Sequence, residues 1–197
     1  FYTRLNHVFV LEEIGKDEEH NAVIKERRNG QGAEVAGVTV EGKVAYLSLV
    51  QLQAGVTWQK SHYTRPEKWS KDSSVPAEKR IFRTPDWYGY FTATYSPVKP
   101  LNIALSGTYT GSMIVQHMKG YIPKDMAVTT PDFFDMNLKI SYDFSLYKFI
   151  TLQLNAGVQN IFNAYQRDFD QGKERDSGYI YGPSMPRSYF AGAKLMF

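Results

Sequence analysis

Counting back in twos from the terminal Phe197 gives Leu195, Ala193, Ala191 and Tyr189, while the positions between them include Lys194, Gly192 and Ser188. Successive side chains of a strand point to opposite faces, so a period of two with apolar residues on one side describes a strand between two different media. The pattern recurs upstream. Ile150, Leu152, Leu154, Ala156 and Val158 interleave with Thr151, Gln153, Asn155 and Gln159; Phe134, Met136, Leu138, Ile140, Tyr142 and Phe144 interleave with Asp135, Asn137, Lys139, Ser141 and Asp143. Leu101, Ile103, Leu105 and Tyr109 alternate with Asn102, Ser106 and Thr108, and Leu52, Ala54, Val56 and Trp58 with Gln51, Gln53, Thr57 and Gln59. With strands at 87–95, at about 22–45 and from Tyr2 to about Ile14, the prediction is roughly eight antiparallel strands.

No run of eighteen apolar residues occurs in the 197 positions, and mean hydropathy is negative, which excludes a helical membrane span. A barrel wall passes this test, because only every second residue of its strands faces lipid. Aromatics make up 15% of the chain, and Tyr and Trp settle at membrane interfaces. Cysteine is absent, which removes disulfides, thiol catalysis and cysteine-ligated metals together. A net charge of +3 from dispersed Lys and Arg argues against nucleic acid.

The connections alternate in length. Short turns are predicted near Tyr46 to Leu49, Ser96 to Pro100 and Ser145 to Lys148, and long polar loops near Lys16, Arg65 to Ile81, Gln116 to Pro131 and Asp168 to Met185. Short periplasmic turns and long extracellular loops belong to outer-membrane barrels, which places the C-terminus in the periplasm. The strand starting at Phe149 is expected to run to about Arg167; at ~3.3 Å per residue and a tilt near ~40° it would rise well above a ~25 Å apolar band. Trp58 and Trp87 fall where an outer aromatic girdle belongs, and Tyr95, Tyr142, Phe144, Tyr147 and Phe197 are the candidates for the inner one. The opening residues Phe1 to Leu11 read as mid-strand with no signal-peptide core, so the chain is expected to be the C-terminal part of a longer polypeptide.

A strand that stops on an aromatic resembles the end of a bacterial outer-membrane β-barrel, whose family pattern is a C-terminal Phe. The segment Val158-Gln-Asn-Ile-Phe-Asn-Ala-Tyr165 resembles the "v-x-N-l-f-n-x-x-Y" stretch of TonB-dependent outer-membrane transporters, and Gly182-Pro-Ser-Met-Pro-Arg187 resembles the "G-x-P-R" that opens their final strand. Asn29, Ala33 and Gly37-Val38 are similar to a third motif of the family, although Thr39 stands where its Glu would be. The loop from Gln166 to Tyr181 looks like that of Bacteroidetes-type transporters. The resemblance implies a transmembrane barrel of about 22 antiparallel strands with an N-terminal plug. Residues 1–197 would be the C-terminal part of the barrel domain, supplying about the last eight of those strands, with plug and upstream strands absent. It also implies active uptake of a scarce nutrient across the outer membrane, the cargo being a ferric siderophore, corrinoid, haem or glycan, with a slight inclination to a corrinoid or iron chelate. The implied partners are outer-membrane lipid and lipopolysaccharide, the remaining barrel and plug, a periplasmic TonB-type energy coupler and a surface lipoprotein.

In the loops, Arg65, Trp69, Arg80, Tyr121, Arg167, Tyr179 and Tyr181 combine flat aromatic faces with guanidinium forks, which suits large polar ligands; contact with lipopolysaccharide phosphates or neighbouring loops explains them equally well. Asp168, Asp170, Glu174 and Asp176 are a weak metal candidate. Their spacing fails an EF-hand pattern, and Arg167, Lys173 and Arg175 neutralise them, so a solvated loop with internal ion pairs is the preferred reading. His7, His20, His62 and His117 lack metal-ligand spacing. Arg187 is placed at the outer rim in a packing role. No phosphate loop, paired carboxylates or activated nucleophile can be assembled, so neither an enzyme nor a cofactor is expected. Two rival readings remain: a complete eight-stranded barrel acting as a structural anchor or lipid-modifying enzyme, and a soluble β-sandwich binding protein.

Overall fold

The computed structural model describes residues 1–20 and 22–197, with Glu12, Glu13 and Lys16 described by backbone alone. Among the described residues there are thirteen strands and no helix: β1 (Tyr2–Leu5), β2 (Phe9–Asp17), β3 (Ala22–Asn29), β4 (Ala33–Tyr46), β5 (Val50–Glu67), β6 (Glu78–Arg80), β7 (Trp87–Val98), β8 (Leu101–Thr110), β9 (Ile114–His117), β10 (Met126–Thr129), β11 (Phe133–Tyr147), β12 (Ile150–Gln159) and β13 (Ser188–Met196). Eight of them form one antiparallel sheet in the order β1-β4-β5-β7-β8-β11-β12-β13, with β6 laid on the upper part of β5. The hairpins β2–β3 and β9–β10 stand as separate two-stranded sheets. No pairing joins β13 back to β1 among the described residues, so the eight strands do not close on themselves. The complete eight-stranded barrel is therefore not this fold.

Register explains why the alternation extends across strands. Val44, Leu52, Ala93, Leu105, Leu138, Val158 and Tyr189 lie opposite one another in succession from β4 to β13. One residue over, Lys43, Gln53, Thr92, Ser106 and Asn137 form the corresponding row on the other face. Directly paired residues share a face, so the period-two patterns of all strands add into one apolar surface and one polar surface. The apolar surface is not covered: Val40 is 64% exposed, Leu154 43% and Leu195 54%. A water-soluble sandwich would turn this face inward, and exposure of so large a patch marks contact with another apolar phase or partner.

Among the described residues the buried hydrophobic side chains, Ala33, Ile114, Val115, Phe133 and Tyr179, all lie at the end with the long loops. At that end Trp58 and Trp87 are register partners with ring centroids 6.4 Å apart, and Phe134 packs between Phe91 and Phe162. At the turn end Tyr142 and Phe144 lie 4.6 Å apart, and Tyr95 pairs with Val50. From Val50 to Trp58 the wall climbs roughly 20 Å at a rise of ~3.3 Å and a tilt of ~40°.

Several boundaries differ from the sequence expectation. The strand from Phe149 ends at Gln159 rather than near Arg167, because Asn160 turns the chain with a positive φ of 50°. The tall wall belongs instead to β5, whose eighteen residues continue to Glu67. The opening strand is two pieces, β1 and β2, and the expected strand over 22–45 is interrupted after Asn29, so that β2–β3 forms its own hairpin beyond the main sheet. Part of the expected loop over 116–131 is the β9–β10 hairpin.

Candidate functional site

Everything that is not wall gathers at the loop end, and the chain after β12 shows how. Asn160 is 3% exposed, and its side-chain amide donates to the carbonyls of Ala164 (2.8 Å) and Met185 (2.9 Å) while its Oδ1 accepts the Ala164 N–H (2.8 Å). Its own N–H donates to Oδ1 of Asn137 on the polar face of β11. Asn163, also at positive φ, accepts the Arg187 N–H through Oδ1 (2.9 Å). Asn tolerates this left-handed conformation better than most residues, and its amide replaces the backbone partners that the turn removes. These two asparagines therefore bind both ends of the segment 160–187 to the top of β12. Gly182 completes the strap: a Cβ there would sit 2.8 Å from Cζ of Phe133 and 3.0 Å from the Gln166 nitrogen.

Inside the strap, Gln166 (1% exposed) donates from Nε2 to the Tyr179 carbonyl (3.0 Å) and accepts the Tyr181 N–H at Oε1 (3.0 Å). Tyr179 and Tyr181 both donate their hydroxyls to Asp168, at 2.7 and 2.5 Å. Burial by itself would raise Asp168, yet these hydrogen bonds, that from Tyr181 first, hold its carboxyl below the usual carboxylate range. Burial and then the Asp168 contact push the Tyr181 phenol up to about 12, and the same two causes, in that order, raise Tyr179 further. The strap meets the β9–β10 hairpin through His117, whose Nε2 lies 2.9 Å from both oxygens of Asp170 and whose ring stacks on Tyr179 at 3.7 Å. Asp176 accepts the Met118 N–H (2.8 Å), and Gly120, at φ 149°, passes so close to the Glu174 carbonyl that a Cβ would lie 2.4 Å from it. Arg83 reaches the same strap, donating to the carbonyls of Ile180 (2.7 Å) and Gly178.

The sequence-predicted ligand residues divide by placement. Tyr121 is exposed, as are Arg65 on β5 and Arg80 on β6 beside Glu78. Trp69 donates its indole N–H to the Pro76 carbonyl (3.2 Å) and packs edge-on against Phe82. Arg167 lies over the Tyr165 ring at 5.6 Å. Tyr179 is 3% exposed and turned inward against His117; Tyr181 lies beside it, its ring 5.3 Å away. The structure brings Tyr179 and Tyr181 together on Asp168, and places Arg65 and Arg80 on the paired strands β5 and β6 and Tyr121 next to the Gly120 approach to Glu174. Among the acidic residues, Asp168, Asp170 and Asp176 are each occupied by donors of their own loops, and among the described residues no group of three or more acidic or histidine side chains converges on a metal position.

Sequence reasoning missed Asp135. It stands third in β11 on the polar face, opposite Thr108, where the strap leaves two adjoining hollows of about 320 and 400 Å³. Thr108, Thr110, Phe133, Tyr181, Gly182 and Pro183 line the first, and Asn137, Gln159, Asn160 and residues 183–186 the second; Asp135 lines both. Its Oδ1 is buried with no hydrogen-bond donor among the described residues. Alternation placed this carboxylate on the polar face, but no sequence signal shows whether a donor reaches it.

The architecture is that of one antiparallel barrel wall: an all-β sheet with one apolar and one polar face, short turns at one end and packed loops at the other. Solved structures similar to it include the ferric-catecholate import receptor Fiu of Escherichia coli K12 in its closed form, at 21% identity and a TM-score of 0.61, covering 99% of this chain and 24% of that one. The ferric enterobactin receptor PfeA of Pseudomonas aeruginosa is similar in two mutant forms, each 16% identical and covering 99% of this chain and 28% of that one. Their TM-scores are 0.53 and, in complex with enterobactin, 0.54. The likeness is one of fold, and the chain spans about a quarter of the length of these receptors. No protein-family model and no curated protein matches the sequence.

Proposed function

We propose that this chain is the C-terminal part of the barrel of a TonB-dependent outer-membrane transporter, which binds a scarce nutrient outside the cell and imports it on energy relayed from the periplasm. The observation that carries this reading is the uncovered apolar face running across the seven strands from β4 to β13, backed by a polar face and capped by loops at one end only. Hydrocarbon is the medium that accepts such a face, and the open edges at β1 and β13 require further strands to satisfy their backbone groups in lipid. On this reading the loop end is extracellular, the short turns and Phe197 are periplasmic, and the girdles are Trp58 with Trp87 above and Tyr95, Tyr142, Phe144, Tyr147 and Phe197 below. The extracellular loops, including Arg65, Trp69, Arg80, Tyr121, Arg167 and Tyr181, meet the cargo, and the strap with Tyr179 supports them. The protein acts by transport, without catalysis. Ferric siderophores stand first among the cargo classes, because the similar folds belong to receptors whose names specify ferric catecholate and ferric enterobactin; corrinoids, haem and glycans follow.

The test is uptake of radiolabelled representatives of these four classes by cells with and without the gene for the full polypeptide. Expected is loss of uptake of one class in the deletion strain, restored by the gene and abolished by collapsing the proton gradient. Full-length protein that stays soluble without detergent, or unaltered uptake of all four classes, overturns the assignment.

A further inference from the structure

We propose that Arg83 is the positioning residue of the loop end: its guanidinium holds the strap on either side of Tyr179 and binds strap and β9–β10 hairpin to the wall as one body. Nη1 donates to the Ile180 carbonyl (2.7 Å) and Nη2 to the Gly178 carbonyl, and these two carbonyls flank Tyr179. A planar fork with its donors fixed suits two acceptors at once, which an ammonium does not reproduce. The main chain of the same residue serves the hairpin, its N–H donating to the Ile114 carbonyl at the start of β9 (2.8 Å). Arg83 does this at a φ of 59°, a left-handed conformation that costs free energy in a residue with a Cβ and persists where the surroundings impose it. Just beyond, the segment is fastened to β5. Gln59 donates its side-chain amide to the Pro85 carbonyl (3.0 Å) and its N–H to the Asp86 carbonyl (2.8 Å).

Strap and hairpin also hold each other. His117 lies against Asp170 and stacks on Tyr179, Met118 donates its N–H to Asp176, and Gly120 passes against the Glu174 carbonyl. The hairpin in turn receives Ser70 from the loop after β5, whose hydroxyl donates to Asp125 (2.5 Å). These ties join different pairs of segments, so one segment cannot leave without straining the others. That is the condition for a single cooperative opening instead of separate loop motions. Arg83 is the point at which wall, hairpin and strap meet. Its hold on residues 178 and 180 fixes the backbone of Tyr179, and with it the ring on His117 and the hydroxyl on the Asp168 carboxylate that Tyr181 shares. On the transport reading, on which this last step alone rests, Arg83 thereby sets the posture of Tyr181 against the cargo.

Hydrogen exchange of the purified full-length protein in detergent, resolved to single amides, tests this in Arg83→Gln, with the heat-modifiable gel band confirming that the variant is folded. The amides of Tyr181, held by Gln166, and Met118, held by Asp176, are expected to accelerate by a common factor of about fivefold or more. The Ala164 amide at the foot of the strap should change by less than about twofold. Arg83→Lys, which keeps the charge and loses the fork, should fall between Arg83→Gln and the unaltered protein, and carries the same comparison where Arg83→Gln does not assemble. Lys60→Gln, which removes an exposed pair with Asp86 from the same segment, should leave all three amides as they were. The posture of Tyr179 is read separately by nuclear magnetic resonance of labelled histidine. Its ring lies flat on His117 and displaces the His117 ring-proton resonances, which in Arg83→Gln should move toward their positions in Tyr179→Leu. Unchanged exchange in Arg83→Gln, acceleration of Tyr181 or Met118 alone, equal acceleration of Ala164, equal acceleration in Lys60→Gln, or unmoved His117 resonances overturns the assignment. Neither readout needs a cargo. Loops that open as one body in a protein that imports none of the four classes keep the clamp and retire the transporter, whereas independent opening in a protein that imports one does the reverse.

Discussion

Asn160 does more for the strap than any other single side chain, since its amide satisfies two carbonyls and one N–H in a place water does not reach. Asn160→Ala would leave these groups unpaired and keep the positive φ, at a cost of about 2–3 kcal/mol. Hydrogen exchange at the Ala164 amide is expected to accelerate roughly 30- to 160-fold; an unchanged rate would show that the strap is held elsewhere. Tyr181 and Asp168 make the strap pH-sensitive in opposite senses. The unfolded phenol ionises near 10.0, so the folded preference for the protonated form is fully present below that pH and fades as pH climbs toward about 12. Asp168, held below its ordinary 3.8, contributes above that value and loses its contribution as pH falls beneath it. Tyrosinate absorbance, taken as the difference from Tyr181→Phe, should place the Tyr181 transition near the upper value. In Asp168→Asn the transition should move part of the way down, burial being the larger cause and remaining in place. A transition that does not move would show the aspartate to be a bystander.

The strands differ in what their two faces tolerate. Leu105 lies midway between the aromatic ends on the apolar face, opposite Ala93 and Leu138, while Ser106 faces the polar side opposite Thr92 and Asn137. If the first face meets hydrocarbon, Leu105→Arg costs about 2–4 kcal/mol, while Ser106→Arg costs less than about 1 kcal/mol. Urea unfolding of the full-length protein in lipid vesicles measures both, and equal costs would mean that the apolar face is covered by protein. The faces themselves were readable in the sequence, because a period of two needs only neighbouring residues to be seen. The ends of strands were not. Pro-rich turns such as Ser96 to Pro100 announced themselves, but the break at Asn160 depends on groups as far away as Met185 and on Asn137 of the next strand, and the continuation of β5 to Glu67 depends on β6 and on the Arg28 contact that binds Glu67.

For the molecule as a wall in a membrane, Trp58 and Trp87 are a built-in depth gauge. They stand side by side and half exposed, roughly 20 Å above the Val50–Tyr95 pair by strand rise and tilt. In vesicles of brominated lipids, with Trp69 replaced by Phe and any tryptophan elsewhere in the polypeptide likewise removed, bromines near the headgroups are expected to quench their fluorescence more strongly than bromines near the chain ends. Stronger quenching from the chain ends would move the girdle, and with it the orientation of the whole sheet.

Alternation, turn chemistry and aromatic content determined by themselves that this is an antiparallel all-β chain with two unlike faces, and the motifs at Asn160 and Gly182 pointed to the segment that would be special. These are local properties, written in residues one, two or a few positions apart. What only the tertiary structure decided is the joining of faces across register, the edges at β1 and β13 left unpaired with one another among the described residues, the inward turn of Tyr179 onto His117, and the Asp135 oxygen that no donor of the described residues reaches. Each of these depends on which distant residue comes to lie opposite, above or out of reach, and a chain acquires those neighbours only when strands far apart in sequence have paired.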